Sequence, residues 1–338
     1  MNFSEPAVMT ADDICIENYL PDIGKEQIIR SIFDGLSCRP KQISSMFFYD
    51  ERGSKLFEAI TRLPEYYPPR LEKQLIRDAA DVIAPDLHDM DIVELGSGEC
   101  SKIRILLERL SAAQTASLQY FPVDVSESAI RESADVLSGM FPGLRVRGLV
   151  LDFLRQMNRI PAGRRRLFCF FGSTLGNLNR GQAREFFSQI SGVMREDDRF
   201  LLGIDMVKPQ DVLLAAYNDR QNVTAEFNRN ILNVVNTLTG SDFDPRKFSH
   251  HVVYNSDENR IEMYLSARMA MTVRSAYFPC DLVLEEGEMI HTENSHKFTL
   301  AQIQDLISPA GLSIERVFLN KMRWFSLVQF NKAPQQTP

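Results

Sequence analysis

The chain has 338 residues, 44% hydrophobic and 25% charged, an ordinary globular composition with length enough for one large domain or two. Its net charge of -7 and lack of a dense Lys/Arg run exclude a nucleic-acid surface, and no apolar run nears the roughly 20 residues that span a bilayer. Five scattered cysteines without a CxxC, and a single His250-His251 pair whose members point apart on any regular element, speak for reduced thiols and against a metal site.

The start, MNFSEPAVMTADDICIENYL, has neither the basic nor the apolar region of a signal peptide, so a cytoplasmic protein is expected. Residues 1–20 and 333–338 read as frayed ends. From about residue 75 to 207, apolar runs alternate with helical patterns. The runs are DIVELGS (91–97), LQYFPVDVS (118–126), RVRGLVLDF (145–153), RRLFCFFGS (165–173) and RFLLGIDMV (199–207). Ile103, Leu106, Leu107 and Leu110 recur at the spacing of one helix face, as do Phe186, Ile190 and Val193. Strand–helix alternation of this kind predicts an α/β, Rossmann-like parallel sheet with helices on both faces.

After Val207 the pattern changes. Residues 212–239 read as helices, with an apolar face through Val223, Phe227, Ile231, Val234 and Leu238. RIEMYLSARMAMTVRSA (260–276) alternates like a half-solvated antiparallel strand. Thr299 and Gln302 form a capping box, Gly311 is a helix stop, and 312–330 reads as a hairpin returning to the sheet edge. The sheet domain is therefore expected at 71–207 plus 297–338. An α+β second domain is expected from 11–70 plus the insertion 208–296.

The first sheet strand ends in Glu94-Leu95-Gly96-Ser97-Gly98. Glycine lets a strand-to-helix turn bring backbone N–H groups up to a ligand. The second strand ends in Asp124, where a carboxylate can accept from a ribose diol. The third ends in Asp152-Phe153, an acceptor for an adenine amine beside a ring that can cover the base. Lys102, in the first helical turn, can meet a carboxylate. A nicotinamide fingerprint would put its third glycine at 101, which is Ser101 here. The bland reading is that Asp124 and Asp152 merely cap the next turns and that Lys102 is a solvated surface lysine. Taken together, acid-x-Gly-x-Gly, a strand-end acid and Asp-Phe resemble the class I methyltransferases, which use S-adenosyl-L-methionine and leave S-adenosyl-L-homocysteine.

Four further stretches carry aromatic and polar residues that core packing does not explain: 47–70 with Tyr49, Tyr66 and Tyr67, FFGSTLGNL (170–178) with Asn177, 215–230 with Tyr217, and EMIHTENSHKF (288–298) with Glu293 and Ser295. With RIEMYL (260–265), they closely resemble the histidine-specific Nα-methyltransferases of ergothioneine biosynthesis, over residues 36 to 330. The resemblance implies a substrate domain beside the methyltransferase sheet, a monomer, and conversion of L-histidine to hercynine with three methyl transfers. It implies cofactor contacts at Gly96, Lys102, Asp124, Asp152 and Phe153. It also implies substrate contacts at Tyr66, Asn177, Tyr217, Met263, Glu293 and Ser295, with Tyr49 nearby. Glu99-Cys100, Asn294 and His296 depart from the pattern without removing a polar group the ligands need.

A neutral imidazole offers one N–H and one acceptor nitrogen. Glu293 suits the first, and a hydroxyl such as Ser295 suits the second. Transfer from a sulfonium needs orientation and water exclusion, so no dedicated catalytic residue is expected; Tyr66 and Asn177 would orient. The competing readings are the same chemistry on tryptophan or tyrosine derivatives, a nicotinamide dehydrogenase, and a non-enzymatic binder. Singly, Tyr66 and Tyr217 could be half-buried tyrosines, Asn177 a helix cap, Glu293 a surface charge and Met263 a packing residue.

Overall fold

The computed structural model describes residues 14–21, 24–87 and 89–333. Contacts divide the chain into two compact units: the segment up to Pro21 with Arg70–Met206 and the segment from Phe298 onward, and Asp22–Pro69 with Val207–Lys297.

The first unit is built on an eight-stranded sheet. From one edge its strands are Ile14–Asn18, Arg145–Val150, Gln119–Asp124, Met90–Leu95, Arg165–Phe170, Arg199–Asp205, Phe325–Lys332 and Leu312–Leu319. The first six run parallel, and the last two form an antiparallel hairpin on Arg199–Asp205. The apolar runs form these strands because both faces are covered. Ile92, Leu167 and Cys169 enter one buried cluster with Ala79, Leu106 and Leu137, while Val93, Leu95, Phe168 and Phe170 enter another with Phe186, Phe187 and Ile303. That split is the two-residue alternation of a strand. From Met90–Leu95 the chain steps outward through Gln119–Asp124 to Arg145–Val150, then returns across to Arg165–Phe170. Such a reversal opens a crevice at the carboxyl ends of the two central strands.

The N-terminal reading needs correction. Ile14–Asn18 lies within the segment read as a frayed end, and within 11–70, yet it adds a parallel edge strand to the first unit's sheet. It pairs along its whole length with Val146–Val150, and Arg147 Nε donates to Glu17 Oε1 at 2.5 Å; the missing side chain of Gly148 makes room chiefly for Ile130, with Ile16 beside it.

The second unit has a four-stranded sheet in the order Lys41–Gln42, Met289–His296, Arg260–Ala267, Phe248–Asn255. Arg260–Ala267 is antiparallel to both neighbours. Helix Val223–Thr239 packs on helix Glu51–Thr61 and on the sheet. Its buried face keeps Phe227 and Ile231 but turns toward Asn228, Leu232, Val235 and Thr239, leaving Val234 and Leu238 at the margin. Buried polar side chains account for the rotation, since Asn228 donates to Tyr264 O and Asn230 donates to Asp50 Oδ1.

Candidate active site

In the first unit, the strand Met90–Leu95 runs into the turn Gly96–Gly98. Gly96 and Gly98 have φ of +62° and +41°, a region open to glycine and strained for other residues. Val123 O accepts from the N–H groups of Gly96 and Ser97 at 2.8 and 3.1 Å, pinning the turn to the next strand. A Cβ on Gly98 would meet nothing within 4 Å, whereas one on Gly96 would face the Phe153 and Phe170 rings. The turn thus presents bare backbone to open space, a cradle that fits the polar end of S-adenosylmethionine.

Asp124 accepts from Gly98 N and Ser126 N, each at 3.0 Å and one on each oxygen. Asp152 caps the next helix through Leu154 N at 3.0 Å. Both acids do serve turns, as the bland reading supposed. Each oxygen nevertheless keeps acceptor capacity, because a carboxylate has about four lone-pair sites. The Phe153 ring stands edge-on to Phe170, with centroids 5.3 Å apart.

Lys102 is not a solvated surface lysine. Its Nζ lies 2.9 Å from Glu72 Oε2, and Glu72 is 1% exposed. Glu72 also accepts from Gly172 N, which follows the strand Arg165–Phe170. Sequence reading missed Glu72, although the signal was present: it shares the buried face of helix Pro68–Ile83 with Leu75, Ile76 and Ala79, where an acid is out of place. Glu94, the acid of the glycine turn motif, is enclosed and accepts from Tyr120 Oη at 2.5 Å. Burial pushes its carboxyl up to about 8, with the Tyr120 hydrogen bond and the Lys102 charge opposing.

In the second unit, the strand Met289–His296 carries the acid and the hydroxyl. Glu293 sits opposite Met263 on Arg260–Ala267. Two-residue alternation puts Glu293, Ser295 and Lys297 on one side of the chain. Ser295 Oγ lies 2.7 Å from Tyr217 Oη, at the end of helix Gln210–Tyr217. The Tyr66 ring stands edge-on to Tyr217 at 5.9 Å. Lys297, 1% exposed, donates to Tyr217 Oη at 2.9 Å and to Ser295 Oγ at 2.7 Å. Burial pushes the Glu293 carboxyl up to about 7, and the Lys297 charge opposes the shift. The Tyr217 backbone is tied as well. Asn228 Nδ2 donates to His250 Nδ1, which puts the ring proton on Nε2, and Nε2 lies 2.9 Å from Tyr217 O. Tyr49 is 52% exposed, its ring edge-on to Phe57 and Phe227.

Asn177 belongs to the first unit, in the turn Thr174–Asn177 beyond the strand Arg165–Phe170. The cap of the following helix is Asn179, in a capping box with Gln182, so Asn177 is spared that task. Thus Tyr66, Tyr217, Met263, Glu293 and Ser295 gather in the second unit, while Gly96, Lys102, Asp124, Asp152, Phe153 and Asn177 follow strand ends of the first. Sequence reading missed Lys297. Its trace was the spacing Glu-x-Ser-x-Lys, which on a strand aligns three polar side chains. Among the described residues, no cluster of His, Cys, Asp and Glu could hold a metal ion, and no helix is long and apolar enough to cross a membrane.

The profile of the family described as "Histidine-specific methyltransferase, SAM-dependent" matches residues 28–332. A histidine N-alpha-methyltransferase from Mycolicibacterium smegmatis is 40% identical over 301 residues, covering 88% of this chain and 93% of that one. One from Mycobacterium tuberculosis is 38% identical over 315 residues, covering 93% and 95%. Ergothioneine biosynthesis protein 1 from Neurospora crassa is 30% identical over 315 residues, which are 89% of this chain and 34% of that longer one. On a match that takes in both the glycine turn and the Glu293 strand, the chain belongs to the histidine-specific, S-adenosylmethionine-dependent methyltransferases.

Proposed function

We propose that this protein methylates the α-amine of L-histidine three times, giving hercynine as the first step of an ergothioneine-type biosynthesis and releasing S-adenosyl-L-homocysteine at each transfer. The observation that carries the reading is the pairing, on one strand face, of a partly buried carboxylate with a hydroxyl held by Tyr217 and Lys297. An imidazole has the matching pair of groups, one N–H and one lone-pair nitrogen. An indole has the N–H alone, and a phenol carries donor and acceptor on one oxygen, so neither meets two groups at separate positions and a buried polar atom would go unmet, which is costly.

Bound S-adenosylmethionine supplies the electrophilic methyl. The residues proposed to hold it are the Gly96–Gly98 turn, Asp124 for the ribose hydroxyls, Asp152 and Phe153 for the adenine, and Lys102 for the carboxylate. Because Glu72 holds Lys102 from beneath, the lysine reaches that carboxylate as a preset charge. In the proposed complex, Met263 packs against the substrate ring, Tyr66 and Asn177 orient the amino acid's polar end, and Tyr217, whose O–H is engaged by Ser295, offers its oxygen to the amine. The amine must shed its proton before each attack, and orientation with exclusion of water supplies the remaining acceleration.

The test is mass spectrometry after incubation with L-histidine and S-adenosylmethionine. A gain of three methyl groups on histidine is expected. A gain seen only with tryptophan or tyrosine would overturn the reading.

A further inference from the structure

Lys297 has no part in the reaction as described so far, yet it is almost wholly enclosed and directs two hydrogen bonds at substrate-pocket hydroxyls. An ammonium has only donors, so Tyr217 Oη and Ser295 Oγ both accept from it. The two oxygens are also 2.7 Å apart, and one must donate to the other. A phenol, with a pKa near 10, is a far stronger acid than an aliphatic alcohol and is the donor of the pair. Ser295 Oγ therefore accepts twice, from Lys297 and from Tyr217. Both its lone pairs are taken, and what it has left to offer is its own O–H. An unconstrained serine would turn its hydroxyl to suit donor and acceptor alike.

From this we infer that Lys297 is a specificity-setting positioning residue: by saturating Ser295 as an acceptor, it turns the serine into an obligate donor that demands a lone-pair ring nitrogen on the substrate. The inference rests on the reading of the site as a histidine pocket. It adds to that reading a cause for the polarity of the serine. Glu293, two residues along the same face, is the complementary group, since an ionised carboxylate only accepts. The strand thus presents one fixed donor and one fixed acceptor. Removing the lysine charge frees a serine lone pair, and a ring N–H then becomes acceptable where only a bare nitrogen was before.

The experiment is calorimetric binding in the presence of S-adenosyl-L-homocysteine. The ligands are L-histidine and the 2- and 3-pyrrolyl-L-alanines, which keep a ring N–H and lack the second nitrogen. On the unaltered protein, both pyrroles should bind at least about tenfold more weakly than histidine, in line with a buried donor left unpaired. Lys297→Met should weaken histidine about tenfold and shrink the histidine-to-pyrrole ratio to threefold or less. Its affinity for S-adenosyl-L-homocysteine alone should stay within about twofold. A pyrrole that binds the unaltered protein as tightly as histidine overturns the proposal, and so does a Lys297→Met protein that keeps the full ratio. If Lys297→Met loses the homocysteine ligand as well, the same ratio is read on Lys297→Leu, which likewise offers Ser295 no donor. Absence of methyl transfer to histidine by the unaltered protein sinks the functional reading instead, an outcome read in a separate assay.

Discussion

Glu293 is an acid whose usefulness depends on its charge. Burial holds its carboxyl at about 7 against an ordinary 4.5, with Lys297 pulling the other way. Only the ionised form accepts from a ring N–H on both oxygens. Histidine kcat/KM, corrected for the titration of the free substrate's own amine and imidazole, should therefore fall about tenfold per pH unit below pH 7, with its acid limb near 7. Glu293→Gln should abolish that limb and cost about 100-fold in kcat/KM at pH 8, because a buried polar contact is left imperfectly paired. A profile whose acid limb stays near 4.5 would count against the role. At this scale the sequence spoke through motifs and not through single residues. Tyr66, Tyr217, Glu293 and Ser295 were singled out by the family stretches they sit in, and Glu293 and Ser295 lie in a polar run, HTENSHK, that marks neither by itself. Lys297 was not singled out, since a lysine near a strand end reads as a solvated surface group, and only the enclosure of its head reveals otherwise. His250 was read as a poor metal ligand. Its actual task, holding the Tyr217 carbonyl 33 residues earlier, depends on Asn228, 22 residues earlier, a link that no local pattern announces.

Among the elements, the strand Arg199–Asp205 and the helix Pro68–Ile83 are matched through a missing side chain. A Cβ on Gly203 would stand 1.9 Å from Glu72 Oε1. Gly203→Ala should drive Glu72 from its place and with it the contacts to Lys102 and Gly172 N. The expected cost is about 1–3 kcal/mol of stability, the usual range for overpacking, seen as a lowered melting temperature. Affinity for S-adenosyl-L-homocysteine should fall about tenfold by calorimetry, while Gly192→Ala, on a helix with open space at the Cβ, should leave that affinity unchanged and raise the melting temperature slightly. The parallel strands were legible because burial on both faces leaves near-continuous apolar runs, and the capping box at Thr299 and stop at Gly311 were legible because their chemistry is local. Ile14–Asn18 was not. ICIEN is five residues long and only half buried, and its partners, Val146–Val150 and the Arg147 side chain, lie more than a hundred residues away.

Across the molecule, one carboxyl in each unit, the enclosed Glu94 and the partly buried Glu293, binds its proton more tightly than an ordinary glutamate: Glu94 at about 8 and Glu293 at about 7. A carboxyl raised on folding adds stability that is complete below its unfolded value of 4.5 and is lost as pH climbs through the raised value. The ligand-free protein should thus lose stability from these groups as pH rises from about 4.5 to 8. Glu94→Gln should flatten that decline in a series of thermal melts, and an unchanged slope would show that Glu94 is ionised throughout. The division into units was partly legible, since the switch from parallel-strand runs to alternating strands after Val207 marks where the second begins.

The order of the sheet has a consequence for how the chain is made. Its final hairpin, Leu312–Leu319 with Phe325–Lys332, is what covers the open flank of Arg199–Asp205. A ribosome delivers that hairpin after every other strand of this sheet. Until then the flank is bare backbone next to Phe200 and Leu202, a ready template for another nascent copy. Translation that stalls before Leu312 should leave insoluble product, and low temperature or a holding chaperone during expression should rescue yield more than any change at the pocket would.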